Sequence, residues 1–222
     1  LAGGSDEEGI HSRITVLVKN EDAQYTALSG FELDIPLAFG AAAPFEEGLL
    51  CIGGRDNQQS YAEVFLLKWE PANRKIEKKV YPNLPEPRSY SAAAIIDGVV
   101  YVAGGIDTLN SPQSSKNFWS LDLTLPEKQW EVLEEWPGPS RMLAVATVQH
   151  DGFYNILHLT SGLEISAAGN QSSVIKELND GYRYNPIADN ISRWDTITDP
   201  PRPIFGAKGT GVGQSHIFFY GG

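Results

Sequence analysis

Short apolar runs recur along the chain, and each ends in paired glycine. Leu1-Ala2 precedes Gly3-Gly4, and Leu49-Leu50-Cys51-Ile52 precedes Gly53-Gly54. Val99–Ala103 leads into Gly104-Gly105, and His216–Tyr220 leads into Gly221-Gly222. A degenerate copy, Leu157-His158-Leu159-Thr160-Ser161-Gly162, lies between the last two. A spacing of about 50 to 60 residues marks an internal repeat of supersecondary size. Other features keep the same phase. Small residues fill positions 40–43, 91–94, 144–147 and 206–209, ahead of each glycine pair. Aromatic and aliphatic runs follow it at 64–67, 118–121 and 182–184, and then come turns at 70–73, 125–128 and 185–188. A further strand then leads to a proline-rich exit at 84–87, 136–139 and 200–203. Four strands per period, with turns at regular spacing, predict the blades of a β-propeller.

Each recurring residue type has a mechanical reason. The innermost strands of neighbouring blades converge on a central axis, where only Ala and Gly leave room. Paired glycine supplies the positive φ needed where the second strand ends. Trp130 and Trp194, on fourth strands, are placed to fill the wedge between diverging blades. The period is that of Kelch repeats. The expected fold is therefore an all-β, Kelch-type β-propeller in a single domain, with blade periods at 1–36, 37–87, 88–139, 140–203 and 204–222. Both ends of the sequence fall inside a blade. About four blades' worth of a six-bladed ring is expected here, with two further blades outside these residues.

Composition narrows the function. Hydrophobic residues make up 41% of the 222, enough for a sizeable core. A net charge of −11 speaks against nucleic acid, whose binding demands a basic footprint. It leaves room for a small anion, because charges beyond about 8 Å are screened and a local arginine cluster still makes a positive pocket. Cys51 is the one cysteine, so there is no intrachain disulfide and no cysteine-based zinc site. It reads as a small buried hydrophobe. Histidines 11, 150, 158 and 216 lack metal-ligand spacing, and no cofactor is expected. No apolar run approaches the roughly 20 residues that cross a bilayer. Asn170-Gln171-Ser172 and Asn190-Ile191-Ser192 match the glycosylation pattern at the frequency of chance.

Strands of a blade alternate in direction, so loops entering strand one and loops joining strands two and three share a face. Arg55 and Asp56 follow Gly53-Gly54, Asp107 follows Gly104-Gly105, and Glu164 follows Ser161-Gly162. Arg88 and Arg141 open inner strands. All six are expected around the channel mouth, as a substrate-binding set for a small polar anion. Arginine suits this task through bidentate capture of carboxylates. The competing structural reading has Arg88 and Arg141 tying blades together and Asp56 and Asp107 forming turns. Glu164 opens an expected long loop at 163–176, either a lid or an irregular segment.

Two strings narrow this further: Cys51-Ile52-Gly53-Gly54-Arg55-Asp56, continuing through Tyr61 to Leu67, and Trp136-Pro137-Gly138-Pro139-Ser140-Arg141. With Gly213-Gln214-Ser215-His216, they resemble the cyclically permuted mutarotases, the Kelch family of bacterial N-acetylneuraminate epimerases. The resemblance covers most of residues 33–222. It implies a six-bladed propeller that interconverts the α and β anomers of sialic acid by ring opening and reclosure. One group removes the anomeric hydroxyl proton, another protonates the ring oxygen, and arginines hold the sugar carboxylate. It also implies a small anionic sugar as partner and a bacterial periplasmic or secreted location. The family's glutamate-proline-glycine-arginine motif has no match here, so no catalytic residue is assigned. The alternative is a non-catalytic Kelch propeller binding a glycan or a protein on the same face. Copper radical chemistry is disfavoured, since it requires a Cys–Tyr pair and clustered histidines.

Overall fold

The computed structural model describes residues 1–168, 172–188 and 192–222. Both Asn-X-Ser matches fall partly outside them. Three sheets have four antiparallel strands, each joined to the next in chain order. The first is β5 (Ala41–Phe45), β6 (Gly48–Arg55), β7 (Ser60–Glu70) and β8 (Lys75–Tyr81). The second is β9 (Ala92–Ile96), β10 (Val99–Ala103), β11 (Phe118–Asp122) and β12 (Glu131–Val132). The third is β13 (Val145–His150), β14 (Asn155–Ala168), β15 (Ser172–Tyr184) and β16 (Trp194–Ile197). Two-stranded sheets flank them: β3 (Arg13–Lys19) with β4 (Tyr25–Glu32), and β17 (Lys208–Val212) with β18 (His216–Tyr220). A small hairpin, β1 (Ser5–Asp6) and β2 (Gly9–Ile10), precedes β3. Among the described residues, no helix is long and apolar enough to cross a membrane.

Hydrophobic cores lie between blades. One cluster joins Leu50, Ile52, Val64 and Leu66 of the first sheet to Val100, Val102, Trp119 and Leu121 of the second. Another joins Tyr101 and Phe118 of the second to Leu157, Leu159, Tyr184 and Trp194 of the third. Alternation explains this, since successive side chains face the two neighbouring blades. Trp194 and Trp130 fill the expected wedges, and their indole N–H groups donate to the carbonyls of Glu134 and Pro82 at 2.9 Å.

The glycine pairs hold adjacent blades together. Gly3, Gly53 and Gly104 have φ between +57° and +68°. A methyl group on them would come within 2.0, 2.2 and 2.3 Å of the carbonyl oxygens of Leu37, Arg88 and Arg141. The next residue donates its N–H to that same carbonyl: Gly4 to Leu37 at 2.9 Å, Gly54 to Arg88 and Gly105 to Arg141 at 2.8 Å. In the third blade Ser161 takes the first position at φ +56°, and Gly162 donates to Ile204 at 3.0 Å.

A second set of bonds runs around the channel. Tyr90 N–H donates to the Phe39 carbonyl at 2.7 Å, Leu143 to Tyr90 at 2.8 Å, and Gly206 to Leu143 at 2.9 Å. Phe39, Tyr90 and Leu143 adopt φ between +55° and +59°, a strained conformation for bulky residues. The inner strands β5, β9, β13 and β17 pack beside one another below these positions. Their small residues leave a channel of about 170 Å³.

One expectation is corrected. Residues 163–176 are not a long loop. Apart from the undescribed 169–171, they continue β14 and β15 as an antiparallel hairpin, with Leu163 opposite Glu177 and Ile165 opposite Ile175. Leu163 and Ile165 alternate as a strand requires, but Gly162 stands where a glycine pair is expected to end the strand, and that disguises it. The register shifts between Thr160 and Gly162, as it does between Ile52 and Gly54 in the first blade, so in both the second strand passes its glycine through a bulge.

Candidate functional site

The expected site residues divide into several environments. Arg88 and Asp107 line one cavity of about 570 Å³, a size within the range of small-molecule sites. Its walls come from the exits of two blades (Glu86 and Ser140) and from the loop between β10 and β11, including Ser111 and Asn117. The Arg88 side chain is fully buried and lies over Trp119, with its guanidinium carbon 4.8 Å from the ring centroid. Its Nη2 donates to Glu86 Oε2 at 2.6 Å and to Asn117 Oδ1 at 3.1 Å. Its Nε is buried without a partner among the described residues. Burial pushes the Arg88 pKa down, while Glu86 and Asp107 pull it back up. The guanidinium stays cationic.

Asp107 accepts from Ser111 Oγ, and this bond holds its carboxyl below the usual range. Arg88 adds to the effect. A carboxylate so stabilised is a good hydrogen-bond acceptor and a weak general base. The cavity is therefore a polar binding surface with one buried cation. Proton abstraction near neutral pH calls for a less stabilised base.

Arg141 is enclosed. Its side chain has no exposed surface; Nη1 donates to the Ser161 carbonyl at 2.9 Å and Nη2 to Asp180 Oδ2 at 2.8 Å. It also lies over Trp136 and Tyr182, at 5.6 and 5.1 Å. This is the blade-tying role, and it leaves no face open to a ligand. Asp56 is a turn former: Oδ1 accepts from the backbone N–H groups of Gln58 and Gln59, and Oδ2 from Tyr61 at 2.6 Å. Those bonds, with Tyr61 the largest, lower its pKa. Glu164 lies on the β14–β15 hairpin opposite Lys176. Arg55 sits apart from the Arg88 cavity, over the rings of Phe39 and Tyr90 at 5.1 and 5.7 Å. The sequence reading did not single out Ser111, Asn117, Phe39, Tyr90 or Asp180. Phe39 and Tyr90 carry a legible signal, since each stands immediately before an inner-strand run of small residues.

Cys51 is buried, and burial raises its thiol pKa to about 11, so it is an inert core residue. No group of three His, Cys, Asp or Glu suited to a metal occurs among the described residues.

Comparisons with known proteins agree with this architecture. The N-acetylneuraminate epimerase from Haemophilus influenzae (strain PittEE) is 32% identical over 145 residues, covering 65% of this chain and 34% of its own length. That of Pasteurella multocida is 34% identical over 145 residues, covering 64% and 33%. The Kelch repeat and BTB domain-containing protein 1 of vaccinia virus (strain Copenhagen) is 28% identical over 173 residues, covering 76% of this chain and 27% of its own length. The chain thus spans about a third of the length of the curated epimerases it matches. The solved structure of YjhT superposes with a TM-score of 0.64 at 16% identity, covering 94% of this chain and 68% of that one, and supports the propeller fold. The family model of N-acetylneuraminate epimerase matches residues 81–222, nearly two thirds of the sequence, and the chain belongs to that family.

Proposed function

We propose that the protein interconverts the anomers of N-acetylneuraminate, and that residues of this chain bind the sugar. The family match over residues 81–222 carries the reading. The Arg88 cavity supports it, because a polar pocket of about 570 Å³ with one buried guanidinium suits a hydroxylated monoanion. Ring opening requires a base at the anomeric hydroxyl and an acid at the ring oxygen. The described residues supply binding and orientation around that step. Arg88, Asn117 and the Ser111–Asp107 pair offer donors and acceptors to carboxylate and hydroxyls.

The test is exchange NMR on the intact gene product with N-acetylneuraminate. Magnetisation transfer between α and β anomers should exceed the spontaneous rate, and Arg88→Ala should raise KM by about tenfold or more, given the worth of charge-assisted hydrogen bonds. Exchange at the uncatalysed rate would end the proposal. The match to the viral Kelch protein over 76% of the chain favours a second reading, a non-catalytic Kelch binding module. Tight glycan binding without accelerated exchange would select it.

A further inference from the structure

We infer a second small-ligand site in the cleft between the second and third blades, for an uncharged polyhydroxylated ligand such as a single sugar ring. The cleft lies at the end of the blades opposite the Arg88 cavity. Val99 opens β10 and Asp122 closes β11, whereas Asp107 and Asn117 lie in the loop joining the other ends of those strands. The cleft holds about 230 Å³, below the roughly 300 Å³ at which drug-sized sites begin, and suits one ring.

Strand register sets its polar groups side by side. Tyr101 pairs with Ser120 across β10 and β11, and Ser120 pairs with Glu131 across β11 and β12. Directly paired residues carry their side chains on one face, and Val99 and Asp122, paired two residues along, share it. That face meets the third blade, where the Tyr101 ring lies 5.8 Å from that of Tyr184. Tyr101 and Ser120 are only 7% and 6% exposed, and both line the cleft. Neither hydroxyl has a hydrogen-bond partner among the described residues. Buried polar groups in native proteins nearly always have one, and two exceptions in a single cleft call for a bound partner. Burial pushes the Tyr101 phenol up to about 12, so it is a neutral hydroxyl that donates as well as accepts.

The charges in the wall select the ligand class. Asp122 and Glu131 turn away anions. Arg193, whose Nη1 donates to the Tyr184 hydroxyl at 3.2 Å, sets a positive charge against an amine. Asp122 is held in place, since its Oδ1 accepts from the N–H and Oγ1 of Thr124 at 2.8 and 2.6 Å. A neutral ligand with adjacent hydroxyls suits both signs of charge. Its O–H groups donate to the carboxylates, and its oxygens accept from Tyr101 and Ser120. The Tyr101 ring and Leu133 offer apolar surface to its C–H groups.

The cleft shares no wall residue with the Arg88 cavity, and the inference does not rest on the proposed function. The experiment titrates the intact gene product with methyl α-D-glucopyranoside, acetate and ethanolammonium, reading backbone amide shifts. The glycoside has no free anomeric hydroxyl, so its response is binding and not turnover. It should move the amides of Ser120, Asp122 and Glu131 along a saturating single-site curve, and neither ion should. Tyr101→Phe and Ser120→Ala each remove one hydroxyl and should each weaken the glycoside about fivefold, the worth of one hydrogen bond. Neither should lower Tm, because the lost hydroxyl has no protein partner, and that separates weaker binding from misfolding. A response to ethanolammonium as strong as to the glycoside would overturn the inference. So would unmoved amides at Ser120, Asp122 and Glu131, or undiminished glycoside affinity in both variants.

Discussion

Gly53 and Gly104, like Gly3, do two jobs that only glycine combines: they hold a left-handed backbone and let the next blade's carbonyl approach. Alanine at Gly104 would meet the Arg141 carbonyl at 2.3 Å, whereas at Gly213, also left-handed at φ +60°, it would meet nothing within 4 Å. Gly104→Ala should therefore cost about 2 kcal/mol or more, and Gly213→Ala about 1 kcal/mol. In thermal unfolding, Gly104→Ala should lower Tm by roughly 5 °C and Gly213→Ala by about half that. Equal losses would show that close approach contributes nothing. Arg141 is the other residue whose role is structural. Arg141→Met would strand Asp180 beside Tyr182 and leave the Ser161 carbonyl unpaired. A loss of about 3 kcal/mol is expected, the low end for a broken buried pair because Asp180 retains some exposure. Chemical denaturation measures it, and a loss below 1 kcal/mol would contradict the assignment.

The β14–β15 hairpin is the element that departs from the repeat. Its β14 runs six residues past Gly162 to Ala168, whereas β6 stops at Arg55 and β10 at Ala103, and Ser114 anchors it to the neighbouring blade. Ser114 N–H donates to the Ile165 carbonyl at 2.9 Å, Ile165 N–H donates to Ser114 Oγ at 3.1 Å, and Ser114 Oγ meets Ser140 Oγ at 2.8 Å. The hairpin is thus tied to the loop that forms the wall of the Arg88 cavity. Ser114→Ala should speed amide exchange of Ile165 by about tenfold, the loss of roughly one hydrogen bond, while leaving Leu50 and Val100 protected. Uniform exchange across the hairpin would mean the anchor carries no local stability.

At the scale of the whole molecule, acid stability separates into two ranges. His158 sits in β14 with its Nδ1 buried and unpartnered, and burial first, then Arg183, pushes its pKa below 6.5. The unfolded chain binds that proton more readily than the folded one. Stability is therefore lost as pH falls from about 6.5 toward the lower folded value. Asp56, Asp107, Asp122 and Asp151 also have lowered pKa values, but their stabilisation persists until pH drops below about 3.8. Between pH about 6.5 and 4.5, His158→Gln should flatten the fall in Tm. An unchanged slope would assign the loss to other groups.

The sequence by itself determined the repeat and its strand roles. Gly53-Gly54, the small residues at 91–94 and the wedge tryptophans carry fixed steric requirements, and those are local enough to read without coordinates. It also placed Arg88 and Asp107 on one face, since strand direction sorts loops. Only the tertiary structure decided what each of those side chains meets. Arg141 and Arg88 occupy the same repeat position, yet Asp180 and Tyr182 enclose one, and a cavity wall formed by the β10–β11 loop receives the other. Arg55 gained its two rings from residues 16 and 35 positions away in the chain. Such contacts join different blades, and no spacing along one strand encodes them. The long hairpin stayed hidden because a glycine that ends a strand and a glycine that bulges one look alike until the register is seen.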